Sequence, residues 1–242
     1  MRDETTVTAA ELLERRRCYA PPRLEASSGL DDKEREEEAW PLLAGDELSR
    51  YQSLAASLNY FSLDRLDLMF AVKELMRKLS KPNDDDWQKL KRVARYLITA
   101  PRLVMMYPWQ ALSDTLKVYT DADHAGCLRT RKSTSGGVVM WGPALLKAWS
   151  RTQTLIALSS GESELAAVTK AAAESMGIQS VLTDFGVKVK IEIHSDATAA
   201  LGICKRQGLG RVRHLATADL WIQQRIRSKD LKRCLERKTP AT

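Results

Sequence analysis

The chain has 242 residues, 44% of them hydrophobic and 29% charged, a balance that excludes whole-chain disorder and supplies enough apolar material for one large or two small domains. Its net charge is +7, but residues 1–50 carry 8 Lys/Arg against 13 Asp/Glu, so the chain from Tyr51 onward stands at +12. A basic domain of that kind either attracts polyanions, nucleic acid first among them, or uses its cations only to solvate its surface; charge alone leaves both open.

In chain order, the N-terminal MRDETTVTAAELLERRR is charged, and no stretch approaches the ~18 apolar residues needed to span a bilayer, so no membrane partner is expected and the cytoplasm or nucleus is. Residues 1–45 read as a disordered or linker tail: Pro21-Pro22, the SSG at 27–29 and the DDKEREEE run at 31–38 sit among few periodic apolar positions. The four cysteines, at 18, 127, 204 and 234, have neither the spacing of a zinc site nor the density of a disulfide framework, and free thiols are expected.

Residues 46–110 form a helical segment. Tyr51, Leu54, Ala55, Leu58 and Phe61 recur every three or four residues, as do Leu68, Val72, Leu75, Met76 and Leu79, which gives two helices. A third begins after Lys81-Pro82-Asn83, where Asp84, Asp85 and Asp86 suit the positive end of a helix dipole. Its apolar face is Trp87, Leu90, Val93, Ala94 and Leu97; Lys89, Arg92 and Arg95 on the other face either meet a phosphate backbone or solvate the helix.

From Leu116 the pattern changes. LKVYT alternates and ends on Asp121-Ala122-Asp123, GGVVMWG at 136–142 is short and glycine-bounded, and LLKAWSRTQ at 145–153 alternates again, which predicts three antiparallel strands. Ser159-Ser160-Gly161-Glu162 fits a capping box before a long alanine-rich helix that stops near Gly186. A strand KVKIEIHS, helices ATAALGICKRQ and ATADLWIQQRIRS, and a strand around DLKRCLE follow. The fold class is therefore α/β: a mixed sheet of three antiparallel strands and then parallel ones, flanked by helices.

One acid ends the first strand, one lies in the first turn of the long helix and one ends the fourth strand: Asp121, Glu164 and Asp196. Singly each has an ordinary explanation as a turn residue or a helix-dipole partner. Together, with the first and fourth strands adjacent, they would converge on one sheet edge, where clustered carboxylates need a hard cation. Two Mg²⁺ or Mn²⁺ ions about 3.5–4 Å apart would suit hydrolysis of a phosphodiester.

The blocks VYTDADHAGCLRTRKSTSGGVVMWG, WSRTQTLIALSSGESELAAV, IHSDATAALGI and RVRHLATADLWIQQ resemble the ribonuclease H domain of Ty1/copia-type retrotransposon Pol polyproteins. Residues 51–103 are similar to the segment that joins reverse transcriptase to ribonuclease H in the same polyproteins. The resemblance implies a ribonuclease H-like fold over 115–242, a two-metal site and an RNA/DNA hybrid as substrate, with the reverse transcriptase part of the polyprotein as a further partner. It puts the catalytic, metal-binding acids on Asp121, Glu164 and Asp196, with Asp123 and Glu162 as runners-up. It puts substrate contacts on Lys132, Ser133, Thr134 and Ser135, on Arg211 and Arg213, and on His214, for which helix capping is the competing role. His124 stands where the family most often has an aromatic residue.

Integrases and transposases order their acids Asp, Asp, Glu, whereas here Glu lies between the two Asp residues, which favours ribonuclease H. No YxDD-type pair is present, so polymerase activity is not expected. The family's last acid follows a Pro-Ala or Leu-Ala pair, and Pro240-Ala241 here precedes Thr242, so a C-terminally truncated domain with weakened catalysis is expected. The alternative is a catalytically dead fragment that only binds nucleic acid.

Overall fold

The computed structural model describes residues 40–127, 129–206, 217–228, 231 and 233–236, which fall in two compact units, one up to Met106 and one from Tyr107.

In the first unit, α1 (Gly45–Phe61), a short 3-10 turn (Leu66–Leu68), α2 (Met69–Arg77) and α3 (Asp84–Thr99) pack around Tyr51, Ala55, Leu68, Val72, Leu75, Leu90 and Val93. The buried stripe of α1 is narrower than its periodicity implies. Tyr51 and Ala55 are buried, Leu54 and Phe61 are largely exposed, and the phenol of Tyr51 donates to the Leu75 carbonyl at 3.0 Å. Asn83 caps α3 in a full capping box with Asp86, so one of the three aspartates read as dipole partners is a buried hydrogen-bonding group. Arg92 and Arg95 are exposed, while Lys89 is paired with Asp85.

The second unit is a five-stranded sheet, β1 (Thr115–Asp123), β2 (Thr134–Trp141), β3 (Ala144–Thr152), β4 (Lys190–Ser195) and β5 (Arg233–Glu236), in the order β3-β2-β1-β4-β5. The first three are antiparallel neighbours, and β4 and β5 add in parallel, as the sequence order implied. Helix α4 (Ser160–Asp184) lies across β1, β2 and β4, with α5 (Thr198–Lys205) and α6 (Thr217–Arg227) beside it. Ala167, Ala171, Ala172, Ser163 and Ser175 on its inner side are all buried. Their small side chains bring the helix backbone close enough for Thr120 in β1 to donate to the Ala167 carbonyl at 3.3 Å. Leu116, Val118, Val139, Trp149, Leu165, Val168, Ile191 and Ile193 fill the layer between helix and sheet. The helix ends where Gly186 takes φ +79°, a left-handed conformation that glycine adopts without steric cost.

Cys127 and Cys204 are buried and in no disulfide, and no helix among the described residues is long and apolar enough to cross a membrane.

Candidate metal centre

The convergence of the acids follows from strand register. The parallel ladder between β1 and β4 ends at the pair Tyr119 and His194. Asp121 and Asp196 each stand two residues further on, so both carboxylates leave the same face where the two strands part. β1 does not end at Asp121 as the sequence order implies; its ladder with β2 continues to the pair Asp123 and Thr134, which sets Asp121 within the strand, opposite Gly136. Glu164, in the first turns of α4, reaches the same point from the inner layer. Asp121, Glu164 and Asp196 each offer a carboxylate oxygen, and the three atoms lie within 4.8 Å of one another.

Asp121 and Asp196 are exposed and Glu164 is buried. The backbone N–H of Ala122 donates to Oε1 of Glu164 at 3.1 Å. Among the described residues Oε2 has no hydrogen-bond partner. Burial, and then the nearby charge of Asp121, push the Glu164 carboxyl up to about 8, with the Ala122 hydrogen bond pulling the other way and Asp196 adding to the rise. An unpartnered buried oxygen, a carboxyl that resists ionising and two exposed carboxylates within reach form a donor set that fits a hard divalent cation.

Asp123 and Glu162 stand outside this cluster. The carboxylate of Asp123 lies over Gly126, where an added Cβ would come within 1.7 Å of Oδ2. Oε2 of Glu162 accepts from the Leu158 N–H at 2.8 Å, and Ser159 caps α4 by accepting from the Glu162 N–H. The predicted capping box is thus shifted: its return bond goes to Leu158 rather than to Ser159.

Ser133, Thr134 and Ser135, which the resemblance would turn toward a substrate, are buried. The Ser133 hydroxyl accepts from the N–H of Ala125, a residue held at φ +52°, and the Ser135 hydroxyl accepts from Nε2 of Gln153. The Ser133 hydroxyl thus holds the loop beside the acids and the Ser135 hydroxyl holds Gln153, while Lys132, half-buried, is the residue of the block with surface to offer a ligand. Arg211, Arg213 and His214 lie outside the described residues, as do Pro240 to Thr242. His124 is exposed, and His194 stacks on Tyr119 with ring centroids 4.9 Å apart.

Gln153 escaped the sequence reading. It follows β3 directly, and its amide donates both to the Ser135 hydroxyl and to the Ser163 carbonyl, each at 2.8 Å. Nothing in the periodicity marks a neutral residue at a strand end; only the fold shows that it bridges β2 and α4.

No protein-family model matches the chain. It is 31% identical over 188 residues to a retrovirus-related Pol polyprotein from transposon RE2 of Arabidopsis thaliana, covering 76% of this chain and 13% of that protein. It is 28% identical over 185 residues to the Pol polyprotein from transposon TNT 1-94 of Nicotiana tabacum, covering 75% of this chain and 14% of that protein. The chain thus spans about an eighth of the length of these curated relatives. Among solved structures, a foamy viral protease-reverse transcriptase in complex with double-stranded DNA matches with a TM-score of 0.50 at 16% identity, over 89% of this chain and 42% of that one, a likeness of fold alone. The chain is thus a homologue of one stretch of the retrotransposon Pol polyproteins, and its second unit has a ribonuclease H-like fold.

Proposed function

We propose that the second unit hydrolyses the RNA strand of RNA/DNA hybrids, using two Mg²⁺ or Mn²⁺ ions held by Asp121, Glu164 and Asp196, and that it derives from a Ty1/copia-type element. The carrying observation is the meeting of three carboxylates within 4.8 Å, with Oε2 of Glu164 buried and unpartnered among the described residues. When bound, divalent ions supply charge neutralisation at the scissile phosphate and a water acidic enough to attack it.

The chain's own part is positioning. Asp121 is held in the β1–β2 ladder, Asp196 directly follows the end of β4, and Glu164 is held by the Ala122 N–H, which favours donors in place before a substrate arrives. Lys132 would meet a backbone phosphate, and the basic stretch 205–238, with 11 Lys/Arg against 3 Asp/Glu and including Arg211, Arg213 and His214, would add salt-dependent affinity. Choice of a hybrid over a DNA duplex would rest on duplex shape and the 2′-hydroxyls. The foamy viral neighbour was solved with double-stranded DNA, which supports a duplex as the partner.

The test is cleavage of a hybrid labelled on each strand, by the full chain, with Mg²⁺ or Mn²⁺ and with chelator. Metal-dependent cutting of the RNA strand, lost in Asp121→Asn and in Asp196→Asn, is the expected result. Hybrid binding without any metal-dependent cutting would leave a nucleic-acid-binding remnant instead.

A further inference from the structure

We propose that Gln153 is a positioning residue that sets where the carboxylate of Glu164 stands relative to Asp121. The inference rests on the metal-site reading above, but its geometry does not.

Gln153 closes a circuit of contacts. Its backbone N–H donates to the Ser133 carbonyl at 2.8 Å, which fixes it against the start of β2. Its side-chain nitrogen has two hydrogens, and both are used: one on the Ser135 hydroxyl in β2, the other on the Ser163 carbonyl in α4, immediately before Glu164. Ser135 pairs across the sheet with Ala122, and Ala122 donates its N–H to Glu164. The circuit therefore runs Ala122, Ser135, Gln153, Ser163, Glu164 and back to Ala122. Ala122 and Ser163 each flank a proposed metal ligand, Glu164 is one, and Gln153 ties the helix to the second strand.

The chemistry of the link is specific to glutamine. Glutamate has the same length but no hydrogen to donate, and would set a further charge beside Glu164. Leucine keeps most of the volume and removes both bonds. With Gln153 gone, the first turns of α4 keep their packing on the sheet through Leu165 and Val168 and the bond from Thr120 to Ala167, but lose the polar tie at Ser163, the residue next to Glu164. The loss would act on Glu164 through its partner Ala122 and not on folding at large.

The test compares Gln153→Leu and Ser135→Ala with the unaltered full chain by three measurements. The Ala122 amide proton, followed by NMR without metal, reports the bond to Glu164. Mn²⁺ titration reports ligand geometry, and thermal unfolding reports stability. In Gln153→Leu the Ala122 amide is expected to move and to exchange faster, with Mn²⁺ bound roughly tenfold more weakly, as when the outer partners of metal ligands are removed. Hybrid cleavage should lose kcat with little change in KM. Ser135→Ala, which keeps the bond to Ser163, should give a smaller change in the same direction and serves if the leucine variant does not fold. An Ala122 amide and Mn²⁺ affinity unchanged in both variants would overturn the proposal. If the unaltered chain binds no Mn²⁺, the metal reading falls and the Ala122 amide alone decides the role of Gln153.

Discussion

The N–H of Ala122 and Oε1 of Glu164 are joined by one hydrogen bond of 3.1 Å, and that bond divides the glutamate's work in two. One oxygen is held by the strand that carries Asp121. The other is buried, has no partner among the described residues and faces the charge of two aspartates. A protein that keeps such a group without a cation gives up stability for it.

The first prediction concerns Glu164 itself. Its carboxyl is raised to about 8 in the fold from an ordinary 4.5, so the folded state holds the proton more tightly than the unfolded one. The stability tied to that proton is fully present below about pH 4.5 and is lost as pH rises through about 8. Glu164→Gln cannot ionise and escapes the loss. In chelator at pH 9 the variant should melt higher than the unaltered chain by at least ~2–4 °C, the shift expected for about 1 kcal/mol in a domain of this size. At pH 5 the gap should shrink, and Mg²⁺ should shrink it at pH 9 while the variant stays without cleavage activity. Equal melting temperatures at pH 9 in chelator would refute the strained-carboxylate reading.

Much of this site is legible in the chain because its parts obey local rules. The alternation of LKVYT and of KVKIEIHS marks two strands, and the serine cap with the alanine run marks the helix between them; each carries its acid at a recognisable place. What escaped depends on register. β1 runs on to Asp123 because its partner β2 starts at Thr134, and no property of residues 121–123 alone requires that. The hydroxyl block at 133–135 looks like a polar, substrate-facing turn, yet these residues are buried, and Ser133 and Ser135 accept from Ala125 and Gln153. The role of Gln153 arises from groups 18 and 10 residues away and leaves no periodic trace.

The second prediction tests the inner layer of the sheet. Gly137 in β2 faces the ring of Trp149 in β3, and an added Cβ would lie 2.2 Å from Cζ2 of a side chain that is itself buried. Gly137→Ala must therefore displace the indole, and overpacking of this kind costs about 1–3 kcal/mol. Chemical denaturation should show a lower midpoint with an unchanged slope. Gly177→Ala, where a Cβ meets nothing within 4 Å, is the control and should be neutral or slightly stabilising.

The third concerns the first unit. Arg65 is buried and donates to both carboxylate oxygens of Asp67 and to the carbonyls of Ala100 and Pro101, while the Tyr96 phenol also donates to Asp67. Burial alone would raise the Asp67 carboxyl, but the bonds from Arg65 and Tyr96 outweigh it and hold it below the usual range. A depressed acid stabilises the fold above its unfolded pKa and loses that contribution as pH falls through the folded one. Asp67→Asn leaves a buried guanidinium without its counter-charge, a change that typically costs about 3–5 kcal/mol. Amide exchange over residues 66–99 should accelerate strongly at neutral pH, and the gap from the unaltered chain should narrow below about pH 4, the ordinary range of an aspartate. A variant with unchanged protection would show that the pair stabilises nothing.

The last prediction separates contact from support within the block 132–135. Lys132 is half-buried and carries a charge, so neutralising it should remove one phosphate contact: Lys132→Ala should weaken hybrid binding at low salt and reduce the slope of log affinity against log salt by about 1. Ser133 is fully buried, and its hydroxyl accepts the N–H of Ala125 in a residue already held at positive φ. Ser133→Ala leaves that N–H unpaired, at a cost of about 1 kcal/mol in folding, and loosens the loop that follows Asp121 and Asp123. It should lower the melting temperature and the cleavage rate while leaving the salt slope where it was. A salt slope reduced by Ser133→Ala and unaffected by Lys132→Ala would reverse these roles and return the serine to the substrate-facing position that the sequence resemblance implies.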